Sequence, residues 1–167
     1  MDPIIPPDTH HLLAAIGWLE LGNSAEADAE LEKIRPALLT HPDILEVRWQ
    51  VYAEQKKWAL CLEAAKGIVN AAPERSSGYI QRSYALRRID GRGMEAARDA
   101  LSEAVPKFPK EPIIPYNLAC YECQLGRLQQ AMAFLAKAFA MGDPKSLKLM
   151  AMNDPDLKPL WTHIREL

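Results

Sequence analysis

Asn117-Leu118-Ala119-Cys120-Tyr121-Glu122-Cys123-Gln124-Leu125-Gly126-Arg127-Leu128-Gln129-Gln130-Ala131 reads as one helix, a turn and the opening of a second helix. Gly126 stops the first helix, because glycine takes up the left-handed backbone that ends many helices. Ala131, Leu135 and Ala138 then fall four and three apart, so they share one face of the second helix. The same plan recurs upstream. Ala27, Cys61 and Ala97 hold the place of Ala131, at intervals of 34, 36 and 34 residues. A period near 34 residues, each unit reading helix–turn–helix, is the signature of a stacked helical repeat. The expected fold is therefore all-α, and such arrays act by presenting a surface rather than by assembling a catalytic centre.

Working outward, the first helix runs from a cap at Asp8 or Thr9 to Leu21, where Gly22-Asn23 ends it. Ser24 caps a second helix that carries Ala27, Leu31, Ile34 and Leu38 and closes at His41-Pro42. The next unit spans Ile44 to Gln55 and Trp58 to Ala71, closed by Pro73. Ser76 and Ser77 cap a third, Tyr79 to Ile89 and Met94 to Phe108, whose inner turn Asp90-Gly91-Arg92-Gly93 is about two residues longer than its counterparts. The fourth covers Pro112 to Leu125 and Leu128 to Met141. Asp143-Pro144 restarts the chain as cap and first helical residue. Two short helices follow, with Leu160, Trp161 and Ile164 on one face, suited to covering the end of an array.

The 167 residues carry a formal charge of −2, spread unevenly. Residues 1–47 hold two basic and nine acidic side chains, and residues 48–110 hold twelve basic and seven acidic. Overall charge therefore gives no pull toward nucleic acid or an anionic membrane. Three cysteines, two of them three residues apart on a helix, do not make a disulfide framework and suit a reducing compartment. No apolar run reaches transmembrane length, and the N-terminal Met1-Asp2-Pro3-Ile4-Ile5-Pro6-Pro7 lacks the pattern of a signal peptide, so the expected location is cytoplasmic.

These residues resemble the tetratricopeptide repeat family. The fourth unit carries the resemblance best, through Asn117-Leu118-Ala119, Leu125-Gly126, Ala131, Leu135 and Ala138. The first matches through Ala15, Trp18, Leu21-Gly22, Ala27 and Leu31, the second through Leu45, Tyr52, Cys61, Ile68 and Pro73. The third matches through Tyr79, Ser83, Leu86, Ala97, Leu101, Ala104 and Pro109. Trp49, where a small residue is usual, and Glu122, where tyrosine is frequent, depart from the pattern. The tail from Gly142 to Trp161 looks like the closing segment of bacterial repeat proteins of this kind.

The resemblance implies a right-handed solenoid of about four helical hairpins. Its divisions would be an extended arm at 1–7, an array at 8–144 (8–42, 43–73, 74–109, 110–144) and C-terminal capping helices at 145–167. It also implies a concave wall formed by the first helix of each unit, here Leu12, Ile16, Leu19, Gln50, Ile80, Tyr84, Arg87, Ile113, Tyr116 and Cys120, with Glu46, Ala53 and Cys123 beside them. The family's basic clamp for a terminal carboxylate falls on residues such as Leu12, Ile16, Val47, Ser77 and Gln81, none of them a cation, so its charge-assisted contacts are missing.

Other constellations carry less. Cys120-x-x-Cys123 lies in mid-helix, away from the helix N-terminus that activates a redox thiol, and it lacks the further ligands of a zinc site. His10 and His11 point about 100° apart on a helix and do not converge. Four tryptophans and the methionines Met132, Met141, Met150 and Met152 read as packing. No phosphate-loop, nucleophile-elbow or zinc-protease motif occurs, and Asp154-Pro155-Asp156 reads as a turn. Arg82, Arg87, Arg88 and Arg92, with Lys56, Lys57 and Arg75, read as a solvated face or as a site for an acidic peptide. Nucleic acid would need a clearer basic stripe. The expectation is a non-catalytic module, an adaptor or chaperone, that binds a peptide or protein segment in an apolar groove and needs no cofactor or metal. The alternative is a structural repeat protein that self-associates.

Overall fold

A computed structural model describes residues 3–89 and 93–166. Among them are ten α-helices: α1 (Asp8–Glu20), α2 (Ser24–Leu31), α3 (Pro42–Glu54), α4 (Trp58–Ala71), α5 (Ser76–Leu86), α6 (Gly93–Ser102), α7 (Ile113–Gln124), α8 (Leu128–Met141), α9 (Pro144–Asn153) and α10 (Trp161–Glu166). Two 3₁₀ segments, Pro36–Leu38 and Pro155–Leu160, join them, and no strand occurs among the described residues. The expected all-α class of successive helical hairpins is what the chain adopts. Asp90–Arg92, most of the long third inner turn, lies outside the described residues, as do Met1, Asp2 and Leu167.

The chain divides into two compact units, Met1–Ala85 and Leu86–Leu167. In the first, α1 packs on α2 and α3, and α3 on α4. Its core gathers Leu12, Ala15, Ala27, Leu31, Ile34, Leu38, Ile44, Val47 and Val51, with Ile4 of the N-terminal arm packed against it. Helix α5 approaches α4 closely at Gly78, where a Cβ would stand 2.9 Å from Ile68 Cγ2 and 3.1 Å from the Val69 backbone nitrogen. In the second unit α7 packs on α6, α8 and the 3₁₀ segment at Pro155, and α9 packs on α8 and α10. Leu101, Ile114, Leu118, Leu135, Leu157, Leu160 and Ile164 are buried there.

Three inner turns share one geometry. Gly22, Lys56 and Gly126 sit at φ 74°, 56° and 76°. The following amides of Asn23, Lys57 and Arg127 donate back to the carbonyls of Trp18, Tyr52 and Glu122 at 2.9, 2.8 and 2.8 Å. This is the helix-ending motif in which a left-handed residue satisfies otherwise unpaired carbonyls. Lys56 takes that backbone without glycine's freedom from a Cβ.

Two helices are shorter than the periodicity predicts. Helix α2 stops at Leu31 rather than continuing through Leu38, and α6 stops at Ser102 rather than Phe108. Each stops about one helical turn ahead of a proline, Pro36 and Pro106. A proline ring collides with the carbonyl four residues back and supplies no N–H, so the helix cannot run through it. The caps also differ from expectation. Asn23, not Ser24, accepts from the Glu26 amide, whereas Asp143 accepts from the Ser146 amide at 2.9 Å as its sequence position suggests.

Asp8 does not cap α1. Its buried carboxylate accepts from the Arg35 backbone N–H at 2.8 Å and from Arg35 Nε at 2.6 Å, tying the start of α1 to the turn after α2. The Arg35 backbone hydrogen bond leads in holding the Asp8 carboxyl below its usual pKa, against the opposing effect of burial. A carboxyl lowered in the folded state stabilises above its unfolded pKa, near about 4, and loses that contribution as pH falls through the folded value. Urea unfolding should therefore show the wild type weakening below about pH 4, with a flatter acid limb for Asp8→Asn. Lys56→Gly should stabilise by about 0.5–1 kcal/mol in the same assay, since it relieves the one left-handed non-glycine residue described.

Candidate binding surface

Helices α1 and α3 lie against each other in the first unit. One strip of each, Ile16, Leu19 and Glu20 with Trp49, Gln50, Ala53 and Glu54, lines an open concavity of about 480 Å³. The spacings of three and four keep each set on one helix face. Ile16, Leu19, Trp49 and Ala53 are half-buried, while Glu20, Gln50 and Glu54 are exposed. The wall is therefore apolar at its base and polar at its edge. Leu12, one turn earlier on α1, belongs to the buried core beneath.

Trp49 is held in place by an aromatic cluster drawn from three helices. The Tyr84 ring of α5 meets Trp49 edge-on at 5.8 Å between centroids and meets Trp58 of α4 at 6.0 Å. Such edge contacts add about 0.5–1.5 kcal/mol each beyond burial. Tyr84 and Ile80 are half-buried on α5. Trp49, an exception to the repeat pattern, is thus a wall residue; its place beside Gln50 and four residues before Ala53 was the available signal. Glu46, further back on α3, is already engaged, accepting from Ser77 Oγ at 2.8 Å and from Arg75 at 3.4 Å.

The corresponding residues of the second unit face the chain's own C-terminal segment. Arg87 makes a two-pronged ion pair with Asp156, Nη1 at 2.5 Å and Nη2 at 3.0 Å. Tyr116 Oη and Cys120 Sγ of α7 both donate to Asp154 Oδ2, at 3.0 and 3.4 Å. Gln124 Nε2 donates to the Asp156 carbonyl at 2.8 Å. The Asp154 carboxylate also accepts from the Asp156 amide at 2.9 Å, so it caps the 3₁₀ segment while holding α7. Tyr116 and Cys120 are each 3 % exposed, and Ile113 is half-buried at the start of α7. From sequence Asp154 and Asp156 read only as a turn, because these partners lie 32 to 69 residues away.

Cys120, Asp154 and Asp156 are close enough to suggest a cation site. The donors already present fill it: Asp156 is matched by Arg87, and Asp154 by a hydroxyl, a thiol and an amide. Burial leads in pushing the Cys120 thiol far up, followed by the Asp154 charge, and burial likewise raises Cys123. A thiol so placed is protonated and donating, the opposite of an activated nucleophile.

The basic cluster is largely spent within the chain. Arg75 pairs with Asp43 at 2.6 Å, Arg87 with Asp156, and Arg82 lies over the Tyr79 ring at 5.5 Å. Arg92 lies outside the described residues. Glu122, the other departure from the repeat pattern, is buried on α7 between Arg127 at 3.4 Å and Arg98 at 3.9 Å.

No protein-family model matches this sequence, and no curated protein does. Solved structures do match. The chain is similar to the MamA RS-1 ArsTM double mutant (TM-score 0.68, 19 % identity, 89 % of this chain and 79 % of that one). It is similar to MamA MSR-1 C2 at TM-score 0.65 and 20 % identity, over 81 % of this chain and 76 % of that one. A thermophilic TPR protein of Thermus thermophilus, TTC0263, matches at TM-score 0.68 and 20 % identity, over 96 % of this chain and all of that one. The fold is therefore that of the tetratricopeptide repeat proteins. No described helix is long and apolar enough to cross a membrane.

Asp154→Ala should loosen the C-terminal segment from α7 and free the Cys120 thiol. Iodoacetamide labelling at pH 8, read by mass spectrometry, should then accelerate at Cys120 by about tenfold or more, the effect of lowering a thiol pKa by one unit. An unchanged rate would mean that packing of Leu157 and Leu160 holds the segment without the carboxylate.

Proposed function

We propose that this protein is a non-catalytic interaction module that takes a segment of a partner protein on the α1–α3 wall of its first unit. The observation that carries this is the open, apolar-based concavity of about 480 Å³ bounded by Ile16, Leu19, Trp49, Gln50 and Ala53. Its size falls in the range of sites that bury a few anchoring side chains. Gln50 offers an exposed amide to a peptide backbone, and Ile16, Leu19 and Trp49 supply apolar area. A helix-lined trough of this kind suits an extended or helical segment inserting hydrophobic anchors.

Three of the ten residues expected to line the groove, Ile16, Leu19 and Gln50, border this concavity. Arg87, Tyr116 and Cys120 are engaged by the chain's own segment, so the proposed site rests on the first unit. The adaptor or chaperone role is a specialisation of the same binding.

Random dodecapeptides displayed on phage and selected on the full chain test this. Enriched sequences should carry two or three apolar anchors. Ala53→Arg, which places a long side chain at the wall, should weaken them at least tenfold, as expected for displacing one anchor worth about 1.5–3 kcal/mol. Enriched peptides that bind the folded Ala53→Arg variant equally well, or a selection that enriches none, would refute the site.

A further inference from the structure

We infer that the segment taken by this wall is cationic: apolar anchors flanked by lysine or arginine. This rests on the binding site proposed above and adds the chemistry of its partner. The observation is a mismatch of charge at the rim. Two of the seven side chains lining the concavity are carboxylates, Glu20 and Glu54, and none is a cation.

Elsewhere in the first unit the acidic side chains are largely matched. Asp8 pairs with Arg35, and Glu30 with Lys33 and His11. Glu32 pairs with Arg48, Asp43 and Glu46 with Arg75, and Glu63 with Lys66. Glu20 and Glu54 have no ion-pair partner among the described residues, although Lys56 and Lys57 follow in the adjoining turn. Glu26, Asp28 and Glu74 are also unmatched, but they do not border the concavity.

Position turns this from surface charge into a recognition element. Glu20 ends α1 and Glu54 ends α3. Each therefore adds its charge to the negative end of its helix dipole, a place that favours cations. Both stand beside the apolar side chains of Leu19 and Ala53, whose low polarizability strengthens a nearby charge pair relative to open water. The wider setting agrees, since residues 1–47 carry nine acidic and two basic side chains. A segment with lysine or arginine beside its anchors would meet attraction at the rim, and an acidic one would meet repulsion.

Three pools of dodecapeptides with identical randomised apolar anchors, flanked by lysine and arginine, by glutamine or by glutamate, are titrated onto the full chain by fluorescence anisotropy. The cationic pool should bind at least tenfold tighter than the glutamate pool. The preference should shrink several-fold in 0.5 M sodium chloride and disappear in Glu20→Gln plus Glu54→Gln, where the three pools should converge on one affinity. Equal binding of all three pools, abolished by Ala53→Arg, would overturn the charge inference and leave the binding wall standing. No binding by any pool, or binding indifferent to Ala53→Arg, would overturn both. Concentration-dependent self-association abolished by the double glutamine change would name a second copy of the chain as the occupant and overturn the cationic-partner inference.

Discussion

Helices can pack at the closest distances only where the facing side chains are small, and a chain that must bring successive helices together at regular intervals has to place such residues at regular intervals. Ala27, Cys61, Ala97 and Ala131 meet that constraint, and each is wholly buried. Around them the larger Leu31, Ile68, Leu101 and Leu135 are equally buried. A β-branched or aromatic residue at the small positions would push two helices apart and reopen the space that the large ones fill. The close contact of α4 with α5 at Gly78 is the same constraint taken to its limit, because even one methyl would meet Ile68 and the Val69 backbone. The surface strips on α1 and α3 inherit their alignment from this packing.

The second unit shows what happens when such a strip is covered by its own chain. The C-terminal segment brings Leu157 and Leu160 to full burial, which supplies the apolar gain. Burial alone would strand polar groups on α7 and the Arg87 guanidinium that follows α5. Asp154 and Asp156 resolve this by accepting from Tyr116, Cys120 and Arg87, so these polar groups meet opposite or complementary ones in the contact. That accounts for three residues that look from sequence like open groove lining and are in fact engaged. Their chemistry is complementary to an acidic segment, and the chain provides that segment itself.

The division between what could and could not be read in advance follows sequence distance. Trp58–Ala71 and Leu128–Met141 were legible to the residue, because both lie between strong turn signals and carry uninterrupted apolar spacing. The Asp143 cap was legible because its target amide is three residues away. The apolar spacing predicts α2 and α6 too long because it continues past Pro36 and Pro106, while the helical backbone does not. Where spacing and proline disagree, proline decides, since no side-chain contact restores the missing N–H or removes the ring clash. The Asp8–Arg35 tie and the pairing of Arg87 with Asp156 span 27 and 69 residues. No local pattern encodes partners that far apart, so the covering of Arg87, Tyr116 and Cys120 by the C-terminal segment is not legible in the sequence.

The same reasoning separates the two walls by their polar edges. A carboxylate that helps hold a fold is found paired, as Asp8, Asp43 and Asp156 are, because an unmatched charge beside apolar surface gains nothing from folding and repels its neighbours. Glu20 and Glu54 are exposed, stand at the ends of adjacent helices, flank an apolar hollow and answer to no cation among the described residues. Packing does not require them, since the buried core of this unit, with Leu12 and Ala15 of α1 and Val47 and Val51 of α3, does not include them. Neutral side chains would serve the core as well and would spare an already acidic unit two further negative charges. Their placement makes physical sense when a positive group from outside completes the rim, in the way Arg87 and Asp156 complete each other in the second unit.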